Sequence, residues 1–270
     1  MVTASIVTYY TKSNDLMKLI QCVDKSKIDK LFIVDHTPEP NKIEYPPLNY
    51  IVYIRHDNLG YGSGHNVAIK KAIELNANYH VVLNPDIYWD GNVIEELARF
   101  MDKHQDVGQI MPKVFYPNGD LQYLCKMVPT PMDLIFKRFL PERITEKRLQ
   151  KFQLRFSGYD KIMNVPYLSG CFMFFRVSAL KNIGLFDERF FMYPEDIDIT
   201  RRMHEKYKTV FYPYVSIVHA HAAASKTNKK MLKIHILNMI KYFNKWGWFF
   251  DSKRRKFNKQ LLEELKYKNY

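Results

Sequence analysis

The feature that most restricts this chain is an alternation of two hydrophobic periods over its first 115 residues. Short apolar, β-rich runs occur at Ala4–Tyr9, Lys30–Asp35, Tyr50–Arg55, Tyr79–Leu83 and Val107–Phe115. Between most of them the period is helical. One helix is expected from a Ser13 N-cap to about Ser26, with Leu16, Leu19, Ile20 and Val23 on one face. Others are expected over about Gly64–Leu75 and Asn92–Lys103. Strands alternating with helices of this length predict an α/β fold: a mostly parallel sheet with helices on both faces. Such sheets bind ligands beyond the carboxyl ends of their strands. Here those ends read Thr8-Tyr9, Asp35-His36 and Asn84-Pro85-Asp86, all polar.

The stretch Pro129–Pro166 breaks the pattern with four prolines and a basic cluster of Lys137, Arg138, Arg143, Lys147, Arg148, Lys151 and Arg155. It reads as an insertion or mobile loop over 129–166 on the acceptor side of a site, with a short helix around Glu142–Phe152. A solvated surface helix is the alternative. Strand patterns resume at Pro166–Arg176 and Thr209–His219. Residues 1–225 therefore form the expected body, and 226–270 an appendage.

Charge separates the two parts. The chain carries 41 Lys and Arg against 28 Asp and Glu, and Lys226–Tyr270 alone holds thirteen basic and three acidic residues. A near-neutral body with a basic tail suggests an anionic partner: phospholipid headgroups, a diphosphate-linked substrate or nucleic acid. Leu232, Ile236, Met239, Ile240 and Phe243 recur at helical spacing, with Lys229, Lys230, Lys233, Lys241 and Lys245 largely opposite. That stripe either packs on the body or faces a membrane. Trp246, Trp248, Phe249 and Phe250 follow, then Lys253, Arg254, Arg255 and Lys256, a composition suited to an anionic membrane surface over 246–256. No nucleic-acid recognition motif accompanies the charge, so no nucleic acid is expected as partner. A homodimer contact is the other use open to the tail.

Three cysteines (Cys22, Cys125, Cys171) without a CxxC pair exclude a disulfide scaffold and a cysteine zinc module. The N-terminus lacks a signal-peptide layout, and no apolar run approaches the roughly 18 residues of a membrane span. A cytoplasmic chain is the expectation.

Four features carry chemistry. Asn58-Leu-Gly60-Tyr-Gly62-Ser-Gly-His-Asn66 lies between a strand and a helix, where glycines admit a ligand close to the backbone. It follows the third strand, unlike a dinucleotide fingerprint, and lacks the Lys-Ser/Thr ending of a nucleoside-triphosphate loop. Asn84-Pro85-Asp86 ends an apolar strand with oxygen ligands suited to a hard divalent cation, or is simply a turn. Glu195, Asp196 and Asp198 follow Pro194 in one helical turn, with Asp198 and Arg202 spaced to pair. Three carboxylates after an aromatic run exceed what helix capping needs, and a general base is the functional reading. Val218-His219-Ala-His221 ends the last strand, and alternation leaves one of the two histidines to complete a cation site with Asp86.

The order of these motifs resembles a family 2 glycosyltransferase of GT-A fold, nearest its bacterial rhamnosyltransferase-like branch. The likeness lies in a strand ending Thr-Tyr, an Asp after strand two, N-x-G-x-G-x-x-x-N, a metal motif, S-G-x-x-x-x-x-R and F-D-E-x-F-F-x-x-x-E-D-x-D, over roughly residues 3–250. Asn84 stands where the metal motif usually has its first Asp. The resemblance implies that Thr8, Tyr9 and Asp35 hold the nucleobase of a dTDP- or UDP-sugar. Asn58, Gly60, Gly62, Asn66 and Asn84 would lie along its ribose and diphosphate, with Ser169, Gly170 and Arg201 at the donor sugar. It implies Mg²⁺ or Mn²⁺ on Asp86 and His219, and Asp196, with Glu195 second, as the base of an inverting transfer. The implied acceptor is a glycan or polyprenyl-diphosphate-linked glycan of bacterial surface polysaccharide, O-antigen or capsule. The implied location is peripheral, on the inner face of the plasma membrane. A UDP-hexose transferase, a nucleotidyltransferase, a nucleic-acid binder and a catalytically silent scaffold of the same fold are the competing readings.

Overall fold

The computed structural model describes residues 1–38, 48–134, 142–220 and 229–267. The chain opens with β1 (Val2–Thr8), α1 (Ser13–Asp24), β2 (Lys30–Asp35), β3 (Ile51–Arg55), α2 (Tyr61–Glu74) and β4 (Tyr79–Leu83). It continues through β5 (Ile87–Tyr88), α3 (Val93–Lys103), β6 (Val107–Phe115), β7 (Cys125–Lys126), α4 (Pro131–Leu134) and α5 (Glu142–Phe152). Then follow β8 (Met163–Asn164), β9 (Tyr167–Leu168), β10 (Phe172–Arg176), α6 (Val177–Ile183), α7 (Glu195–His204), β11 (Lys208–His219), α8 (Lys229–Trp246) and α9 (Ser252–Glu264).

One sheet runs in the order β3-β2-β1-β4-β10-β6-β11-β5, with β8 also on β11. The strands β3, β2, β1 and β4 are parallel, as are β6 and β11. Antiparallel β10 is wedged between β4 and β6. Covered on both faces, β4 is buried at every position, and Phe172, Met173, Phe174 and Phe175 of β10 are buried likewise. The result is a mixed, mostly parallel sheet flanked by helices, the α/β class the alternation predicts.

Local sequence explains most boundaries. The apolar stripe Leu16, Leu19, Ile20 and Val23 of α1 is the face it buries. Ser13 is the first helical residue and makes no side-chain capping bond, where an N-cap was expected. Helix α2 starts three residues before the expected Gly64, directly after Gly60, whose φ of 110° only glycine adopts without strain. The expected strand Pro166–Arg176 is divided: β9 pairs with β7, β10 pairs with β4, and Ser169-Gly170-Cys171 turns between them.

The basic tail is joined to α7. Arg201, almost fully buried, donates from both terminal nitrogens to Asp251 at 2.7 Å. Its guanidinium lies 4.0 Å from the Trp246 ring centroid. Trp246 Nε1 donates to Asp198 Oδ1 at 2.8 Å, and Lys245 pairs with Asp198 and Asp187. Met239, Tyr242 and Phe243 of α8 are buried against Phe152, Tyr167, Phe190 and Ile197. Of the two uses open to the α8 stripe, packing on the body is the one seen. Within 129–166, Arg148 pairs with Asp133 at 2.6 Å and Phe152 joins that tail cluster. Lys137 and Arg138 lie outside the described residues.

Candidate active site

The two-residue strand β5 decides where the cation-binding candidates sit. It pairs antiparallel with the end of β11, matching His219 to Ile87 and Val218 to Tyr88. That register carries Asp86 back alongside the last strand, and the Ala220 N–H donates to the Asp86 carbonyl at 2.9 Å. His219 Nε2 consequently stands 3.4 Å from Asp86 Oδ1. On its other side, His219 Nδ1 donates to Gln122 Oε1 at 3.0 Å, and Gln122 Nε2 donates back to the His219 carbonyl at 2.7 Å. Gln122 thus fixes both the ring orientation and the nitrogen that faces Asp86. Burial works against a charged His219, and Cys171 with Asp86 more than offsets it, raising the imidazole to about 10.

Gln122 stands in a loop without motif or period, so nothing in the sequence signals it. His221, the alternative ligand, lies outside the described residues.

The second group gathers at the start of α7. Asp196 Oδ2 accepts the Gly170 N–H at 3.0 Å, and Oδ1 accepts the Ile197 N–H at 2.8 Å. Burial raises this carboxyl to about 6, with Lys126 and the two N–H groups pulling the other way. Glu195 is more enclosed, and its Oε2 has no hydrogen-bond partner among the described residues. Burial, then the neighbouring Asp196, push Glu195 well above the ordinary carboxyl range. Two adjacent carboxyls therefore differ: both are raised by burial, Glu195 with the added push of Asp196, and Asp196 to about 6 against the pull of Lys126 and the two N–H groups. Just before them, Tyr193 sits at φ 98°, a backbone angle that costs a non-glycine residue strain.

Tyr61 joins the two groups. Its hydroxyl lies 3.0 Å from Asn84 Oδ1 and 2.7 Å from the Gly170 carbonyl, both acceptors. A cleft of about 760 Å³ is lined together by Asn84, Asp86, Ser169, Gly170, Glu195, Asp196 and His219. An adjoining hollow of about 460 Å³ takes in Tyr9, His36 and Asn58, with Met231 and Ile234 of α8.

Other expected site residues make hydrogen bonds within the chain. Asp35 is buried, and its oxygens accept from Thr8 Oγ1 at 2.9 Å, Thr37 Oγ1 at 2.7 Å and the Tyr53 hydroxyl at 2.5 Å. These hydroxyls outweigh burial and hold the carboxyl below its ordinary value. Thr8 and Asp35, expected at the nucleobase, are thus hydrogen-bonded to one another and to neighbours in the chain.

Asn66 donates to the Phe186 carbonyl and accepts the Phe186 N–H, both at 2.9 Å, so it ties α2 to the segment before α7. The glycines serve the same packing. A Cβ at Gly60 would lie 2.2 Å from the Phe191 carbonyl oxygen, and one at Gly62 would lie 2.9 Å from the Phe186 side chain. Arg201, expected at the donor sugar, points into the Asp251 pair and lines neither hollow. Asp198 and Arg202 pair at 2.9 Å as their spacing predicts.

A model of the family described as "Glycosyltransferase like family 2" matches residues 6–235. The chain is 27% identical over 198 residues to the N-acetylglucosaminyl-diphospho-decaprenol L-rhamnosyltransferase of Mycobacterium tuberculosis, which covers 68% of this chain and 62% of that protein. It is 26% identical over 203 residues to the low-salt glycan biosynthesis hexosyltransferase Agl10 of Haloferax volcanii, covering 73% of this chain and 60% of that one. The chain therefore spans about three fifths of the length of these curated relatives. Among solved structures, GalNAc-T7 with UDP, GalNAc and Mn²⁺ superposes with a TM-score of 0.62 at 16% identity, over 81% of this chain and 42% of that one. At such identity the likeness shows the fold alone, and that fold is GT-A.

Proposed function

Because the chain belongs to glycosyltransferase family 2, we propose that it moves a sugar from a nucleotide-sugar donor to a lipid-linked glycan acceptor with inversion at the sugar carbon. One observation carries the proposal. A single cleft is lined by Asp86 and His219, 3.4 Å apart, and by Asp196, a carboxyl raised to about 6.

Asp196 is the base. It accepts the proton of the acceptor hydroxyl as that oxygen bonds to the anomeric carbon, while the bond to the nucleoside diphosphate breaks on the opposite face. The N–H groups of Gly170 and Ile197 hold its carboxylate in place. Glu195, more deeply buried and raised by burial and by Asp196, is the second choice for the base.

The residues fit a divalent cation. No cluster of three metal-ligating groups occurs among the described residues, but Mg²⁺ ordinarily takes one or two protein groups and completes its shell with substrate phosphates. Asp86 and His219 would hold Mg²⁺ or Mn²⁺, the cation displacing the proton that Cys171 and Asp86 otherwise keep on the imidazole, with Gln122 setting the ring. When bound, the cation supplies charge neutralisation at the departing diphosphate.

The donor proposed is dTDP-rhamnose, with a UDP-hexose as alternative. The names of the rhamnosyltransferase and hexosyltransferase relatives support the two in turn. The rhamnosyltransferase relative's name also supports a polyprenyl-diphosphate-linked acceptor, hence a place in surface-polysaccharide assembly and a peripheral location on the inner membrane face. No helix among the described residues is long and apolar enough to cross a membrane. The test is the anomeric configuration of the product by NMR, with each donor and a synthetic polyprenyl-diphosphate-linked sugar. Inversion supports the assignment; a retained configuration overturns it.

A further inference from the structure

We infer that the corner between α8 and α9 is a docking surface for an anionic phospholipid bilayer, formed by Phe249 and Phe250 and the cations beside them. The inference deepens the proposal of a lipid-linked acceptor and rests on it for its purpose, while the binding itself needs no donor.

Phe250 is 88% exposed and Phe249 67%, and Phe250 is the most exposed large apolar residue among the described ones. Their display is built. Buried Arg254 donates to the Trp248 carbonyl at 3.2 Å and the Phe249 carbonyl at 3.3 Å. Gly247 turns at φ 98°, where a Cβ would come within 2.7 Å of the Phe250 carbonyl oxygen. Asp251 then caps α9 by accepting the Arg254 N–H at 2.9 Å, and is itself held by Arg201. The loop is fixed from beneath at Gly247, Trp248, Phe249 and Asp251, and the two rings are left exposed. A turn that merely joined two helices would need neither ring.

The neighbouring charge is predominantly positive. A hollow of about 940 Å³ behind Phe249 is lined by Arg255, Lys259 and Lys266 together with Leu262 and Tyr267, and among the described residues Glu263 is its only acidic lining residue. Arg255 and Lys266 make no ion pair among the described residues, and Lys259 reaches Glu263 only at 3.8 Å with both groups exposed. Exposed aromatic rings beside an unneutralised cationic, partly apolar hollow match a headgroup layer over hydrocarbon. The surface is smaller than the sequence suggests. Trp246 is engaged with Asp198 and Arg201, Trp248 donates to Asn244 and packs on Phe243, and Arg254 is internal.

The experiment is co-sedimentation of the full chain with vesicles of phosphatidylcholine alone or mixed with phosphatidylglycerol, without donor or acceptor. Wild type should bind the mixed vesicles and not the neutral ones. F249S/F250S should bind about tenfold more weakly or worse. R255Q/K266Q should lose about thirtyfold, at about 1 kcal/mol per cation, and bind less steeply with falling salt. All four side chains contribute little to the interior, so unchanged melting confirms that the variants fold. Equal binding to both vesicle types, or variants that bind like wild type, overturns the inference. If F249S/F250S instead turns a dimer into a monomer in sedimentation velocity with vesicle binding unchanged, the corner is an interface between copies and the inference falls.

Discussion

The backbone N–H of Gly170 lies 3.0 Å from Asp196 Oδ2, and the carbonyl of the same glycine lies 2.7 Å from the Tyr61 hydroxyl. Tyr61 also reaches Asn84 at 3.0 Å. The proposed base is therefore tied, through one glycine and one phenol, to the strand end that carries Asp86.

Tyr61→Phe removes that tie and little else. The Gly170 carbonyl and Asn84 Oδ1 lose the single hydroxyl proton they share, a change of about 1 kcal/mol in stability. The turnover number should fall about tenfold, since a loosened Asp196 is misplaced for attack. Donor KM should stay near wild type. Steady-state kinetics with both substrates varied separates the two; an unchanged turnover number would show that the tie has no bearing on the reaction.

Gly60→Ala tests what the glycine motif is for. A Cβ there would lie 2.2 Å from a backbone oxygen at a φ of 110°, so the variant should lose at least about 2 kcal/mol in urea unfolding. If the glycines served only close approach to a diphosphate, stability would hold and only donor KM would rise.

Asp251→Asn keeps the cap of α9 but leaves the buried Arg201 guanidinium without its counter-charge, costing on the order of 3 kcal/mol. Adding Arg201→Met should restore much of the loss, since removing both charges is far cheaper than removing one. A double-mutant cycle by chemical denaturation measures the coupling. Additive losses would mean that the pair does not join tail to body.

Asp196 also sets a pH dependence of stability. Its folded-state value of about 6 lies above the ordinary 3.8, so the fold disfavours the ionised form. Relative to wild type, Asp196→Asn should be more stable at pH 7, on the order of 1–2 kcal/mol after discounting the weakened N–H bonds. The advantage should shrink as pH falls through about 6 and vanish below about 4, where wild type is protonated in both states. Melting temperatures of the two proteins across that range check it.

Much of this arrangement is legible in the sequence because it follows from period and position. Strand ends carry Asn84 and Asp86, and Pro194 starts a helix with Glu195 and Asp196 in its first turn. What escapes has physical reasons. Strand β5 is two residues long, too short for any alternation to register, yet it aligns Asp86 with His219. Gln122 acts through its amide from an irregular loop. Thr8, Asp35 and Asn66 sit where ligand contacts are expected, but whether a polar side chain is bonded to its own chain depends on neighbours distant in sequence. Arg201 was partly readable: five residues at 3.6 per turn rotate it about 140° from Asp196, onto the face that meets the tail.

The most direct test of the account is nucleoside diphosphate release from dTDP-rhamnose and a panel of UDP-hexoses, with a polyprenyl-diphosphate-linked acceptor and Mg²⁺ or Mn²⁺, for wild type and Asp196→Asn. The account predicts acceptor-dependent turnover of one donor, lost on chelation, with kcat/KM falling about tenfold per pH unit below about 6, and reduced by about 10²–10⁴ in the variant. Turnover by Asp196→Asn equal to wild type would contradict the assignment of the base, and silence across the panel with no nucleotide binding by calorimetry would contradict the assignment of an enzyme.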